Sequence, residues 1–235
     1  PGNSTNKNIV VAPGEYFESL VLNKNYVTLK SSAGPLQTII NGQQSTETRL
    51  VYVQADNNIL DGFTIKNGTG NQSIHTRHAD YPVLKNLILD NNRNYFISTT
   101  ATVENSVFQN NTEGEILVIG DSNNPDYCVF KNVTIAGNND FSFRLQHQNS
   151  ALGDTYLDVL FFNSVFWDND DDEDNKGFVM YWDHADNSGY PRLYIEKSLL
   201  SFTESDITNP HPTAEITWDS SNLTSYPYFN DPDNG

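Results

Sequence analysis

Sulfur is nearly absent from this chain of 235 residues, which has one cysteine, Cys128, and one methionine, Met180. A single cysteine forbids an internal disulfide, so the fold cannot rest on the covalent staples of small secreted domains. In the run YCVF its neighbours are apolar, which suits a small core side chain. Basic residues are also scarce, with 13 Lys and Arg against 30 Asp and Glu, a formal charge of −17. Such a chain lacks the basic face that phosphate backbones need, which excludes nucleic acid as a partner. The same sign disfavours polyanionic sugars unless a cation such as calcium reverses it locally. No apolar run is long enough to span a membrane, and no basic-then-apolar leader stands at Pro1. No Pro/Gly/Ser-rich linker interrupts the chain, so residues 1–235 are taken as one domain.

What the chain has in abundance is a nine-residue unit repeated six times. The copies are LDGFTIKNG from Leu60, LKNLILDNN from Leu84, VENSVFQNN from Val103, FKNVTIAGN from Phe130, FFNSVFWDN from Phe161 and IEKSLLSFT from Ile195. Their starts lie 24, 19, 27, 31 and 34 residues apart, so a constant core alternates with growing insertions. That is the mark of a solenoid. The first and sixth positions are always apolar and are expected to point inward. Positions four to six alternate with period two and are rich in Val, Ile, Phe and Thr, which favours strands over helices. The ninth position reads Gly68, Asn92, Asn111, Asn138, Asn169 and Thr203. An Asn there suits a left-handed turn and an asparagine ladder, each amide bonding the next. A second strand follows each ladder turn: EILVIG from Glu115, FSFRLQ from Phe141, FVMYWD from Phe178 and AEITWD from Ala214. The expected fold is all-β, a right-handed parallel β-helix of about seven coils with variable loops on one flank.

The stretch from Val10 to Gly42, VVAPGEYFESLVLNKNYVTLKSSAGPLQTIING, resembles the first coils of right-handed β-helix repeat proteins of the pectin-lyase-like superfamily. The closing NLTSYPYFNDPDNG, from Asn222, is similar to the last coil of many bacterial secreted members. The resemblance implies a secreted or cell-surface location and this fold. It does not imply one activity, since the superfamily holds lyases, epimerases, hydrolases, adhesins and non-catalytic domains. Members usually carry a cap before the VAPG-like turn and a closing strand after a DPDNG-like end. Their absence here makes the chain read as a segment of a larger polypeptide, with further domains expected at both ends.

Candidate chemistry lies in the longer intervals. In DNDDDEDNKG the carboxylates of Asp168, Asp170, Asp172 and Asp174 alternate ahead of Gly177 in the manner of oxygen-rich calcium loops. The twelve-residue calcium-loop pattern is incomplete, and a solvated acidic loop is the alternative. A lyase needs a base beside a sugar carboxylate and a stabilising cation; Arg144, Asp183, His184 and Arg192 are the catalytic candidates, with Arg144 expected one strand spacing from Tyr181. WDH at Trp182 faintly resembles a pectate-lyase motif, although its companion Arg-x-x-Pro-x-x-Arg pattern is missing. Ligand contacts are assigned to Tyr181, Tyr190, Trp167 and His147, within a wider set of outward aromatics that includes Tyr127 and Tyr194. In SIHTRHAD, strand alternation sends His75 and Arg77 to one face and His78 to the other. The outward fifth column, Thr64, Ile88, Val107, Thr134, Val165 and Leu199, is apolar enough to call for a covering loop or partner, and too irregular for an ice-binding array.

Two function classes fit. One is a non-catalytic extracellular β-helix, the glycan-binding, adhesive or spacer part of a larger secreted or cell-surface protein. The other is a calcium-assisted polysaccharide lyase acting on a uronate polymer.

Overall fold

The computed structural model describes residues 6–68, 70, 72–120, 126–147, 156–169, 178–182, 190–207 and 214–225. The fold is the expected right-handed parallel β-helix. Its strands stack into three parallel sheets of nine, eight and seven members. Seven complete coils run from Lys7–Val11, Gly14–Tyr16 and Leu20–Leu22 to Tyr156–Phe162, Val165–Trp167 and Phe178–Trp182. Tyr190–Glu196, Leu199–Leu200 and Glu215–Trp218 continue the stack.

Each coil holds three strands rather than the two expected, because the nine-residue unit bends at its third position. There the chain turns through a left-handed residue: Gly62 at φ 84°, Asn86 at 54°, Asn105 at 50°, Asn132 at 53°, Asn163 at 48° and Lys197 at 51°. Asn tolerates this conformation because its short polar side chain bonds locally. The unit therefore begins in the first sheet and ends in the second. A second left-handed residue at the eighth position, Asn67, Asn91, Asn110, Gly137 or Asp168, turns the chain into the third sheet.

The ladder forms at the ninth position, as the spacing predicts, but its members are not the left-handed residues. Asn111 Nδ2 donates to Asn138 Oδ1 at 2.7 Å, and Asn138 Nδ2 to Asn169 Oδ1 at 2.6 Å. Asn92 joins through its backbone N–H, which donates to Asn111 Oδ1 at 2.9 Å. Displacing the left-handed turn by one residue leaves the ladder amides free to point into the core, where all four are buried. Thr203 stands outside the ladder and instead caps the short 3₁₀ turn Glu204–Asp206. A second, outer ladder runs along the third position, Asn163 to Asn132 at 2.8 Å and Asn132 to Asn105 at 2.9 Å.

The inward columns are as expected. Leu60, Leu84, Val103, Phe130, Phe161 and Ile195 lie buried in register, and so do Ile65, Leu89, Phe108, Ile135, Phe166 and Leu200. Phe130 stacks on Phe161 at 4.8 Å, and Phe143 from the third sheet meets both edge-on. Cys128 is buried in this core. Glu215–Trp218 departs from its assignment. It pairs with Tyr190–Glu196 in the first sheet, so AEITWD opens a new coil instead of following a ladder turn.

Outside the first sheet, Lys30, Asp61, Lys85, Glu104 and Lys131 stand side by side on successive coils with alternating sign. Opposite charges facing across strands stabilise the stack. Outside the second sheet, the apolar fifth column is half-buried beyond Thr64, its first member, which a loop covers. Thr64 Oγ1 donates to the Pro35 carbonyl at 2.8 Å, which leaves Thr64 only 9% exposed.

Candidate functional site

The insertions that lengthen the repeat also lengthen the strands beside them. First-sheet strands have three residues in Ile59–Asp61, Val83–Lys85 and Thr102–Glu104, then six in Asp126–Lys131 and seven in Tyr156–Phe162 and Tyr190–Glu196. The added residues precede the repeat. They create one outward column that the thin coils lack, formed by Tyr127, Asp158, Arg192 and Glu215, each in register with the next.

The centre of this column is a two-pronged ion pair. Arg192 Nε reaches Asp158 Oδ1 at 2.5 Å, and Nη2 reaches Oδ2 at 2.6 Å. The pairing is bidentate and half-buried, the strong form of a guanidinium–carboxylate contact. That bond raises the Arg192 pKa above its ordinary value, so the group is a fixed cation and not a proton acceptor. Tyr127 projects beside the pair with 52% of its surface exposed. Burial against the sheet, then the charges of Asp158 and Glu196, raise its phenol above the usual value, so it stays a neutral hydroxyl. Val129, Leu160 and Tyr194 form a half-buried apolar strip along the next column. An exposed ring, an apolar strip and a fixed charge pair together offer stacking and hydroxyl hydrogen bonds to a polar ring-shaped ligand.

The predicted residues do not gather at one place. Arg192 lies in the first sheet and Arg144 in the third, where its Nη1 pairs with Glu115 at 3.3 Å. Arg144 stands in register with Val179, not Tyr181, whose partner is Gln146. The expected alignment is therefore off by two residues, because Phe178 pairs with Phe143 and not with Phe141. Trp167 ends a second-sheet strand, His147 and Tyr181 belong to the third sheet and Tyr190 opens a first-sheet strand, so the four span three faces. Asp183 and His184 lie outside the described residues, as do Asp170, Asp172 and Asp174. Asp168 is described, and it fills the left-handed turn position at φ 54°. Among the described residues, no group of three or more His, Cys, Asp or Glu side chains could hold a metal ion. No helix among them is long and apolar enough to cross a membrane.

The histidine cluster also differs from expectation. The strand Gln72–His75 ends at His75, and the turn that follows brings His78 back to it, with ring centroids 5.6 Å apart. His75 is 3% exposed and packs against Tyr52 at 4.9 Å and Phe96 at 5.7 Å. Neither of its ring nitrogens has a hydrogen-bond partner. Burial, then the charges of Arg49, His78 and Arg77, lower its pKa to about 3, so the ring is neutral.

Asp158 was absent from the sequence-based candidates, although a signal for it exists. Tyr127, Asp158, Arg192 and Glu215 each fall three residues before the first-sheet inward residue of their coil, Phe130, Phe161, Ile195 and Trp218.

No protein-family model and no curated protein matches this chain. Among solved structures it is similar to the pectin methylesterase from Yersinia enterocolitica, at 12% identity and TM-score 0.41, over 97% of this chain and 91% of that one. It is similar also to the pectin methylesterase from Aspergillus niger, at 13% and 0.44 over 95% and 82%. For the pectin methylesterase from carrot the values are 13% and 0.43 over 93% and 81%.

Proposed function

We propose that this chain is a non-catalytic, extracellular β-helix that binds a glycan on the outer face of its later coils, as part of a larger secreted or cell-surface protein. The observation that carries this reading is the extra column: an exposed Tyr127 ring beside the bidentate Asp158–Arg192 pair, present only where the strands lengthen. The ring stacks on the apolar face of a pyranose, while the carboxylate and guanidinium edges bond its hydroxyls. Asp158 and Glu196 lie near the ring, Glu215 stands beside Arg192, and the whole chain carries −17, so neutral glycans suit this face better than polyuronates. A lyase reading takes its base from Arg144, Asp183, His184 or Arg192, and neither described guanidine suits the task. Arg192 is held charged by Asp158, and Arg144 lies on another sheet against Glu115.

Affinity electrophoresis against neutral and uronate polysaccharides tests the reading. Retardation by a neutral polysaccharide, reduced at least about tenfold by Tyr127→Ala, supports it, this being the loss expected of a central aromatic anchor. Unsaturated product from a uronate polymer with calcium, lost in Arg144→Ala or Arg192→Ala, overturns it in favour of the calcium-assisted lyase.

A further inference from the structure

The loop that covers Thr64 stops one coil short. Ser31 Oγ pins this loop by accepting from the backbone N–H groups of Ala33 and Gly34 and by bonding Thr38 Oγ1 at 2.6 Å. Beneath it Gly62 takes the third position of its repeat, where the next four coils have Asn. A Cβ on Gly62 would make ordinary contacts, 3.4 Å from Ser31 Cβ and 3.6 Å from Gly34 Cα, so it is the φ of 84° that favours glycine here. Beyond Thr64 the loop overhangs the apolar column without touching bottom. It leaves an open cavity of about 520 Å³, within the range of small-molecule sites.

The lining of this cavity is two-sided. Pro35, Ile88 and Val107 make an apolar wall, and Asp61, Asn86 and Asn105 make a polar one. The outer ladder is loosest here. Asn105 Nδ2 reaches Asn86 Oδ1 only at 3.5 Å, against 2.9 and 2.8 Å for the next two steps. One amide donor and one amide acceptor are therefore poorly closed on each other at the cavity rim. Asp61, 6% exposed, accepts from Asn86 at 2.6 Å and shares its second oxygen between Lys30 at 3.6 Å and Lys85 at 3.8 Å. With Glu104 in register beside Lys85, the four charges cancel.

We propose that this cavity is a second ligand site, separate from the Tyr127 face, that takes a neutral polyol of about one pyranose ring. The C–H face of the ring lies on Ile88 and Val107, and its hydroxyls close the loose Asn86–Asn105 step and reach Asp61 and Lys30. Local neutrality gives a uronate no advantage there. An apolar wall opposed by amides, one carboxylate and one ammonium is the complement of a ring with one apolar face and a hydroxyl edge.

The test is saturation-transfer NMR and titration of the whole chain with glucose, galactose and mannitol, with glucuronate as the charged contrast. The expected result is saturable binding of at least one neutral compound, weakened at least about tenfold by Val107→Trp, which fills the cavity from the outer face. Loss of one hot contact sets that scale. Lys30→Met, at a side chain 58% exposed, tests the polar rim without touching the core and should weaken binding several-fold. Binding here should persist in Tyr127→Ala, and polysaccharide retardation by the Tyr127 face should persist in Val107→Trp, so each site can fail alone. The proposal is overturned if none of the three neutral probes binds, if both Val107→Trp and Lys30→Met bind as the parent does, or if glucuronate binds tighter than glucose.

Discussion

Acidification to pH 5 should destabilise this protein through one side chain. His75 is buried, neutral and without a partner at either ring nitrogen, and its pKa lies at about 3 in the fold against an ordinary 6.5. Unfolding releases the ring to water, where it takes up a proton at any pH between those values. The unfolded state therefore binds more protons, and stability falls as pH drops below 6.5. At pH 5 the unfolded imidazole is almost fully charged and the folded one almost fully neutral, a gap of about 1.5 pH units or about 2 kcal/mol. Urea unfolding at pH 8 and pH 5 reads this loss directly. Glu15 and Asp219 have pKa values lowered below those of ordinary carboxylates, so the stability they add is lost only in stronger acid, which makes pH 5 a clean limit. His75→Phe keeps a ring among Tyr52, His78 and Phe96 and removes the titration; its pH 8 to pH 5 difference should shrink to a few tenths of a kcal/mol. A variant that keeps the full 2 kcal/mol drop would refute the assignment.

Asn111 carries the inner ladder, bonding the Asn92 N–H, the Tyr95 hydroxyl, the Leu89 carbonyl and Asn138 with no exposed surface. Asn111→Ala orphans two buried donors and should cost about 2–5 kcal/mol in chemical denaturation. Gly68→Ala puts a Cβ 2.4 Å from Ser73 Oγ and 2.9 Å from Asn92 Oδ1, so it should lower the thermal midpoint by more than an exposed alanine substitution does. Asp158→Ala leaves Arg192 without its bidentate partner and should cost about 1–2 kcal/mol in low salt, less in high salt, by the same denaturation assay.

The inward columns were legible because burial leaves a period-two imprint that survives any loop length: Leu60, Phe130 and Ile195 look alike for one reason. The bend at the third position was not. Asn86, Asn105, Asn132 and Asn163 are as frequent there as Asn is in the ladder, and composition does not say which Asn takes the left-handed turn and which points inward. Register across long insertions was also hidden. Asp158 and Arg192 keep phase because both precede a repeat, whereas Arg144 follows a ladder turn, where each strand sets its own length. The His75–His78 approach depends on where a strand stops, which alternation alone does not mark.

The alternation of Lys30, Asp61, Lys85, Glu104 and Lys131 bears on how these coils avoid sticking to copies of themselves. Identical segments from many chains form fibrils by stacking in register, each residue on its own copy. Any of these coils stacked so would set lysine on lysine or carboxylate on carboxylate, which repels. The same sequence stacked on its true neighbour meets the opposite sign at every step. A solenoid built of near-repeats thus carries a sign code along its spine that admits the next coil and turns away a duplicate.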